Sequence, residues 1–183
     1  MKTLFLLGFS FLLTITAGAQ DKYFTKSGKI RFYSKTDFET IDALNKSVTS
    51  VIDTKTGAIQ FAVQMKGFDF KKAAMQEHFN EDYVESNKFP KAEFRGTITN
   101  NNTIDYKKDG EYAANVKGNL TLHGQTHEIE TIGKVLVKNG KIAASADFIL
   151  ALADFKILVP TLVKDKISKT VNINVTCLME PLK

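Results

Sequence analysis

Three histidines and one cysteine are the side chains of this 183-residue chain with the most chemistry to offer. His123 and His127 flank Gly124-Gln125-Thr126, and a three-residue turn between adjacent strands would set the two imidazoles facing each other near a sheet or barrel rim. Such a pair holds zinc stably only with a third and usually a fourth ligand. Glu128 falls on the other side of its strand and His78 is distant in sequence, so solvated or head-group-binding imidazoles are the plainer expectation, and no metal site is assigned. Cys177 shares a face with Val171, Ile173 and Val175, which predicts a buried, inert thiol rather than a nucleophile. A lone cysteine makes no internal disulfide. No GxSxG elbow, HExxH helix, P-loop or Rossmann glycine pattern occurs, and no serine, histidine and aspartate align into a triad. No catalytic residue is therefore named, and a non-enzymatic protein is expected.

The elements that must position these residues are mostly strands. Gly28 to Tyr33 reads as a first strand with Ile30 and Phe32 on its core face; Thr36 to Asn45 is ambiguous between loop and edge; Ser47 to Ile52 is extended again. After the turn at Asp53-Thr54-Lys55-Thr56-Gly57, Ile59, Phe61, Val63 and Met65 alternate with Gln60, Ala62, Gln64 and Lys66. Ala92, Phe94, Gly96 and Ile98 share a face, and so do Tyr112, Ala114, Val116, Gly118, Leu120 and Leu122. Asp109-Gly110 and Asn139-Gly140 are hairpin signals, the second the clearer. Ile142, Ala144, Ala146, Phe148, Leu150 and Leu152 form one more apolar face, with Ser145 and Asp147 opposite. A looser stretch from Ala153 to Lys166, broken by Pro160, precedes a last strand from Lys169 to Met179. The fold class is all-β with one helical insert. About eight strands in hairpin order close naturally into an antiparallel barrel, which removes exposed edges; a sandwich is the alternative.

The insert spans Lys71 to Ser86, where Ala74, Met75, His78, Phe79 and Val84 make an apolar stripe at helical spacing. Asn80 offers a fresh cap that would interrupt the helix, and Pro90 returns the chain to a strand. A helical excursion between two strands suits a lid over a barrel mouth, with Met75 and Phe79 facing the lumen; a packed connector is the bland alternative. The run Glu77-His78-Phe79 followed by Ser86-Asn87-Lys88-Phe89-Pro90-Lys91-Ala92-Glu93-Phe94 resembles a segment of YceI-like proteins, as does Gly118-Asn119-Leu120-Thr121-Leu122-His123-Gly124-Gln125-Thr126-His127. The resemblance covers most of the chain after residue 22. It implies a lipocalin-like barrel whose lumen binds long polyisoprenoid or other lipid chains. The chain departs from the family pattern at its start, where Lys26-Ser27 replaces a histidine-serine pair, and Asp154-Phe155-Lys156-Ile157 matches the family's aspartate-aromatic segment only loosely.

The residues add their own argument for a lumen. Small side chains at Gly96, Ala114, Gly118, Ala144 and Ala146 sit among Phe94, Val116, Leu120 and Phe148, and an eight-stranded barrel either fills itself or holds one small ligand. The expected lumen and lid residues are Phe61, Val63, Met65, Met75, Phe79, Phe94, Ala114, Val116, Leu120, Ala144, Ala146 and Phe148, with His78, His123 and His127 as a polar rim. No cofactor is expected beyond a non-covalent lipid. Residues 1–19, with Lys2, an apolar run from Leu4 to Leu13 and Ala17-Gly18-Ala19, read as a signal peptide, leaving residues 20–183 as one exported domain, periplasmic or extracellular. The 25 basic and 20 acidic residues are interspersed without a basic stripe, which argues against nucleic acid and leaves transient contact with a membrane surface open. The expected function is a carrier of an isoprenoid-like or other long-chain amphiphile. Its rivals are an interaction module with a packed core and a metal or haem protein built on His123 and His127.

Overall fold

The computed structural model describes residues 21–163 and 165–182; the expected signal peptide lies outside them. The described residues form nine strands: β1 (Lys22–Lys35), β2 (Thr40–Asp53), β3 (Ala58–Gln64), β4 (Phe68–Phe70), β5 (Lys91–Ile98), β6 (Gly110–Leu122), β7 (Gln125–Lys138), β8 (Lys141–Ala151) and β9 (Thr170–Pro181). All pairings are antiparallel. The ring runs β1-β9-β8-β7-β6-β5-β3-β2 and closes through β1–β2, while β4 continues the line of β3 along β2. The result is a closed eight-stranded barrel, and closure rules out the open sandwich.

The stretch from Thr36 to Asn45, ambiguous by its pattern, contributes the first half of β2. The period slips because β1 and β2 carry offset bulges. Thr25 and Gly28 face Ser50 and Val48, whereas Gly28 and Ile30 face Val48 and Asn45. An extra residue on one strand shifts every later side chain to the other face. Asn45, fully buried, holds the second bulge: its Nδ2 donates to Gln64 O at 2.9 Å, and its Oδ1 accepts from Ser47 N at 2.9 Å.

The predicted turns fare differently. Asn139 and Gly140 both take positive φ and make the two-residue turn their sequence announces. Asp109-Gly110 does not: Gly110 opens β6 after a long crossing from β5, and Asp109 Oδ1 instead accepts from Asn139 N at 3.1 Å. That crossing carries Ile104 and Tyr106 under the barrel. Tyr106 Oη donates to Asn101 Oδ1 at 2.8 Å, and burial pushes its pKa up to about 12. The bottom of the barrel is packed by Val137, Ile142 and Met179, with Ile52, Ile98 and Val135 buried above them. Cys177 lies in this layer and is buried, which raises its thiol pKa to about 11.

The insert contains α1 (Ala73–His78), which runs into a widened π-type turn at Phe79–Tyr83. The interruption falls where expected, but Asn80 does not cap a new helix. Its Nδ2 donates backward to Gln76 O at 2.8 Å, so the chain keeps winding with a wider turn. Ala74 and His78 point to solvent, and the inward contacts come from Met75, Phe79, Tyr83 and Val84.

Candidate functional site

Strand direction places four connections at one end of the barrel: β1–β2, the insert between β4 and β5, β6–β7, and β8–β9. Beneath them lies a cavity of about 340 Å³. Its wall combines Phe32 of β1, Val63 of β3, Phe68 and Phe70 of β4, Leu120 and Leu122 of β6, Phe148 and Leu150 of β8, and Ile173 of β9. Met65 lines it from the turn after β3, Met75, Phe79 and Tyr83 from the insert, and Ile157, Val163 and Ile167 from the β8–β9 connection. The only charged or ionisable groups lining it among the described residues, apart from the Tyr83 phenol, are His78, Glu39 and Lys166, which mark its opening to water. Burial raises the pKa of that phenol, so it lines the wall as a neutral group.

A second, deeper chamber of about 110 Å³ is lined by Phe61, Phe94, Ala114, Val116, Ala144 and Ala146. Ile30, Val63, Ala92, Leu120 and Phe148 border both chambers and form a waist between them. The twelve predicted lumen and lid residues thus fall at two heights. Val63, Met65, Met75, Phe79, Leu120 and Phe148 reach the upper cavity, and the six others named reach only the lower one. The sequence reading did not single out Phe68 and Phe70, although Phe68-Asp69-Phe70 alternates like a strand. It also passed over Ser34, Glu39, Ile157 and Ile167.

Not every small residue leaves space. A Cβ on Gly118 would stand 2.5 Å from Arg95 O and press on Gly96 Cα, and one on Gly96 would stand 2.5 Å from Phe94 Cζ. These glycines let two strands approach closely and let the Phe94 ring lie across them. The expectation of free volume at Gly96 and Gly118 is therefore corrected, while Ala144 and Ala146 do border the deeper chamber.

The insert is fixed by aromatic packing. Phe79 stacks on Phe32 at 5.4 Å and lies edge-on or tilted to Phe68 and Phe70 at 5.6 and 5.0 Å. Its base is held by His123, but not as a rim ligand opposite His127. His123 and Gly124 are themselves the two-residue turn, both with positive φ, and Leu122 pairs with Gln125. His127 therefore stands beside Leu120 and packs edge-on against Phe155 at 5.3 Å. His123, nearly buried, has Nδ1 2.9 Å from Phe155 O and Nε2 2.8 Å from Glu85 Oε2, with Phe89 edge-on at 4.8 Å. Both oxygens are acceptors, so the ring is the donor in the contacts it makes. The hydrogen bond from His123 holds the Glu85 carboxyl below its ordinary pKa against the cost of desolvation, with Lys88 adding to the effect. The clamp joins three connections at residues in or beside the left-handed region: Glu85, His123, and Lys156 next to Phe155. Non-glycine residues hold that conformation only where their surroundings fix it. His78 pairs with Asp82 at 2.7 Å on the exposed side of the insert. Among the described residues no three His, Cys, Asp or Glu side chains converge as a metal site.

A closed antiparallel barrel with an apolar cavity beneath a helical insert defines the lipocalin-like class of folds. The family model that matches this chain is the YceI-like domain, over residues 19–178, and the chain belongs to that family. Solved structures share the fold at low identity. A polyisoprenoid binding domain from Saccharophagus degradans, implicated in plant cell wall breakdown, is 15% identical with a TM-score of 0.78, covering 89% of this chain and 99% of that one. BcnA from Burkholderia cenocepacia is 16% identical with a TM-score of 0.68, covering 83% and 95%. A Campylobacter jejuni YCEI protein is 15% identical with a TM-score of 0.52, covering 97% of each chain. No curated protein matches the sequence.

Proposed function

We propose that the protein is an exported carrier that holds an isoprenoid-like or other long-chain amphiphile in its barrel and performs no chemistry on it. The observation that carries this reading is the upper cavity: about 340 Å³ with a nearly unbroken apolar wall, continued below the waist by the smaller chamber. A cavity lined this way favours a hydrocarbon chain, at roughly 0.8 kcal/mol per buried methylene. The polyisoprenoid binding described for the Saccharophagus degradans domain supports the same ligand class. Export rests on the leader-like residues 1–19, and N-terminal sequencing of the mature protein should begin at Gln20. Phe38 and Leu158 are exposed at the open end, where they suit brief contact with a membrane during loading.

Delipidated protein should bind a fluorescent long-chain fatty or prenyl probe at one site. Leu120→Trp, which fills the waist, should weaken that binding while leaving the protein folded. A folded variant with unchanged affinity would place the probe elsewhere and overturn the reading.

A further inference from the structure

Four buried side-chain atoms among the described residues have no hydrogen-bond partner: Ser34 Oγ, Ser50 Oγ, Asn80 Oδ1 and Ser86 Oγ. Of these residues only Ser34 lines a cavity, and it is the upper one. Ser34 pairs with Ile41 at the last inward position of β1 before the turn to β2, so its hydroxyl sits at the mouth end, close in sequence to Glu39. The residue is only 2% exposed. A buried hydroxyl without a partner is costly, and native proteins keep few of them. Everything deeper in the upper cavity is apolar apart from the Tyr83 phenol, and Glu39, which shares the opening, is already paired with Lys72 at 3.2 Å.

Resting on the carrier reading, we propose that Ser34 is the head-group contact: the ligand lies with its polar end at the mouth and its chain toward the waist, and its head is an uncharged oxygen, a hydroxyl or a carbonyl. A serine hydroxyl both donates and accepts, so it serves either group. A charged head at this depth would have no buried counter-ion and would be disfavoured by desolvation. His78 and Lys166 line the opening but are exposed, so neither offers a charged head a buried counter-ion. The arrangement assigns the ligand to long-chain alcohols and their carbonyl counterparts rather than to ionised fatty acids.

The test uses the delipidated protein with dodecan-1-ol, dodecane and dodecanoate as competitors of a fluorescent long-chain probe. Wild type should prefer the alcohol over the alkane, relative to their partition into an inert apolar phase, by about three- to tenfold, the size of one net hydrogen bond. Dodecanoate at neutral pH should compete less well than the alcohol. Ser34→Ala should abolish the preference for the alcohol, leave alkane affinity alone, and keep or raise the unfolding midpoint, because an unpartnered hydroxyl is removed. Ser34→Thr should retain the preference. An unchanged preference in Ser34→Ala, a lowered midpoint for that variant, or tighter binding of dodecanoate would each overturn the head-group assignment while the carrier reading stands. Failure of wild type to bind any of these chains would overturn the carrier reading itself.

Discussion

His123 shows how one side chain can govern a mouth without touching its contents. It lines neither chamber, yet it ties the insert, the β6–β7 turn and the β8–β9 connection together through Glu85, its own backbone turn and Phe155 O. His123→Ala should lower stability by about 1–3 kcal/mol, since it leaves a carbonyl and a carboxylate without their donor. Chemical denaturation measures this, and proteolysis should locate the loosening at the base of the insert. The clamp also has a pH signature. Because hydrogen bonding from His123 depresses the Glu85 pKa, its stabilisation is present above the unfolded value of about 4.3 and is lost as pH falls through the lower folded value. Asp42 acts in the same direction through its hydrogen bonds from Arg31, both 2.6 Å. The unfolding midpoint should drop as pH falls below about 4.3, and Glu85→Gln should flatten part of that drop. A drop of the same size in Glu85→Gln would contradict the clamp. His123 was legible as a polar residue at a turn, but its role was not. A turn at Gly124-Gln125-Thr126 would put His127 opposite His123, three residues from its true partner Leu120, because only the positive φ of His123 reveals that the histidine is itself in the turn.

At the scale of elements, the strands with unbroken alternation, β3, β5, β6, β8 and β9, were legible because period two survives wherever no bulge intervenes. In the β1–β2 pair Gly28 to Tyr33 and Ser47 to Ile52 were legible too, but the first half of β2 was not, since the two bulges reverse the phase around Ser47. Faces were readable but heights were not: nothing in local pattern says that Val63 and Phe61, two residues apart, divide between a waist and a deep chamber. That depends on strand stagger around the closed ring. The insert was legible as a helical excursion from its stripe, although α1 itself buries no residue and is held through Phe79 and Val84. Its anchoring predicts that Met75→Asp with Phe79→Asp weakens long-chain probe binding more than it lowers the unfolding midpoint. A folded double variant with wild-type affinity would leave the insert as a mere connector.

For the whole molecule, the barrel differs by height: the lower part is packed around a small chamber, and the upper part encloses the larger cavity in which the proposed ligand would lie. The described charges at the open end are mixed, with Lys35, Lys71, Lys72 and Lys166 among Asp37, Glu39, Glu77 and Asp165, so contact with a membrane would rest on Phe38 and Leu158 more than on charge. The deeper chamber gives a separate test of the division. Ala146→Phe would overpack a filled core at a cost of typically 1–3 kcal/mol. Here the ring has about 110 Å³ to enter, so stability of the delipidated protein should hold. Affinity should fall for probes long enough to pass the waist and stay unchanged for short ones, with Asp147→Phe on the exposed outer face as the control.

The central claim is that a long-chain amphiphile occupies the upper cavity, and native mass spectrometry of protein purified without detergent tests it most directly. The protein should carry one bound species per chain, released into organic solvent as a long-chain compound and depleted in the Leu120→Trp variant. A wild-type protein that carries only its own mass, and takes up no long-chain alcohol or prenyl compound when these are added, would contradict it.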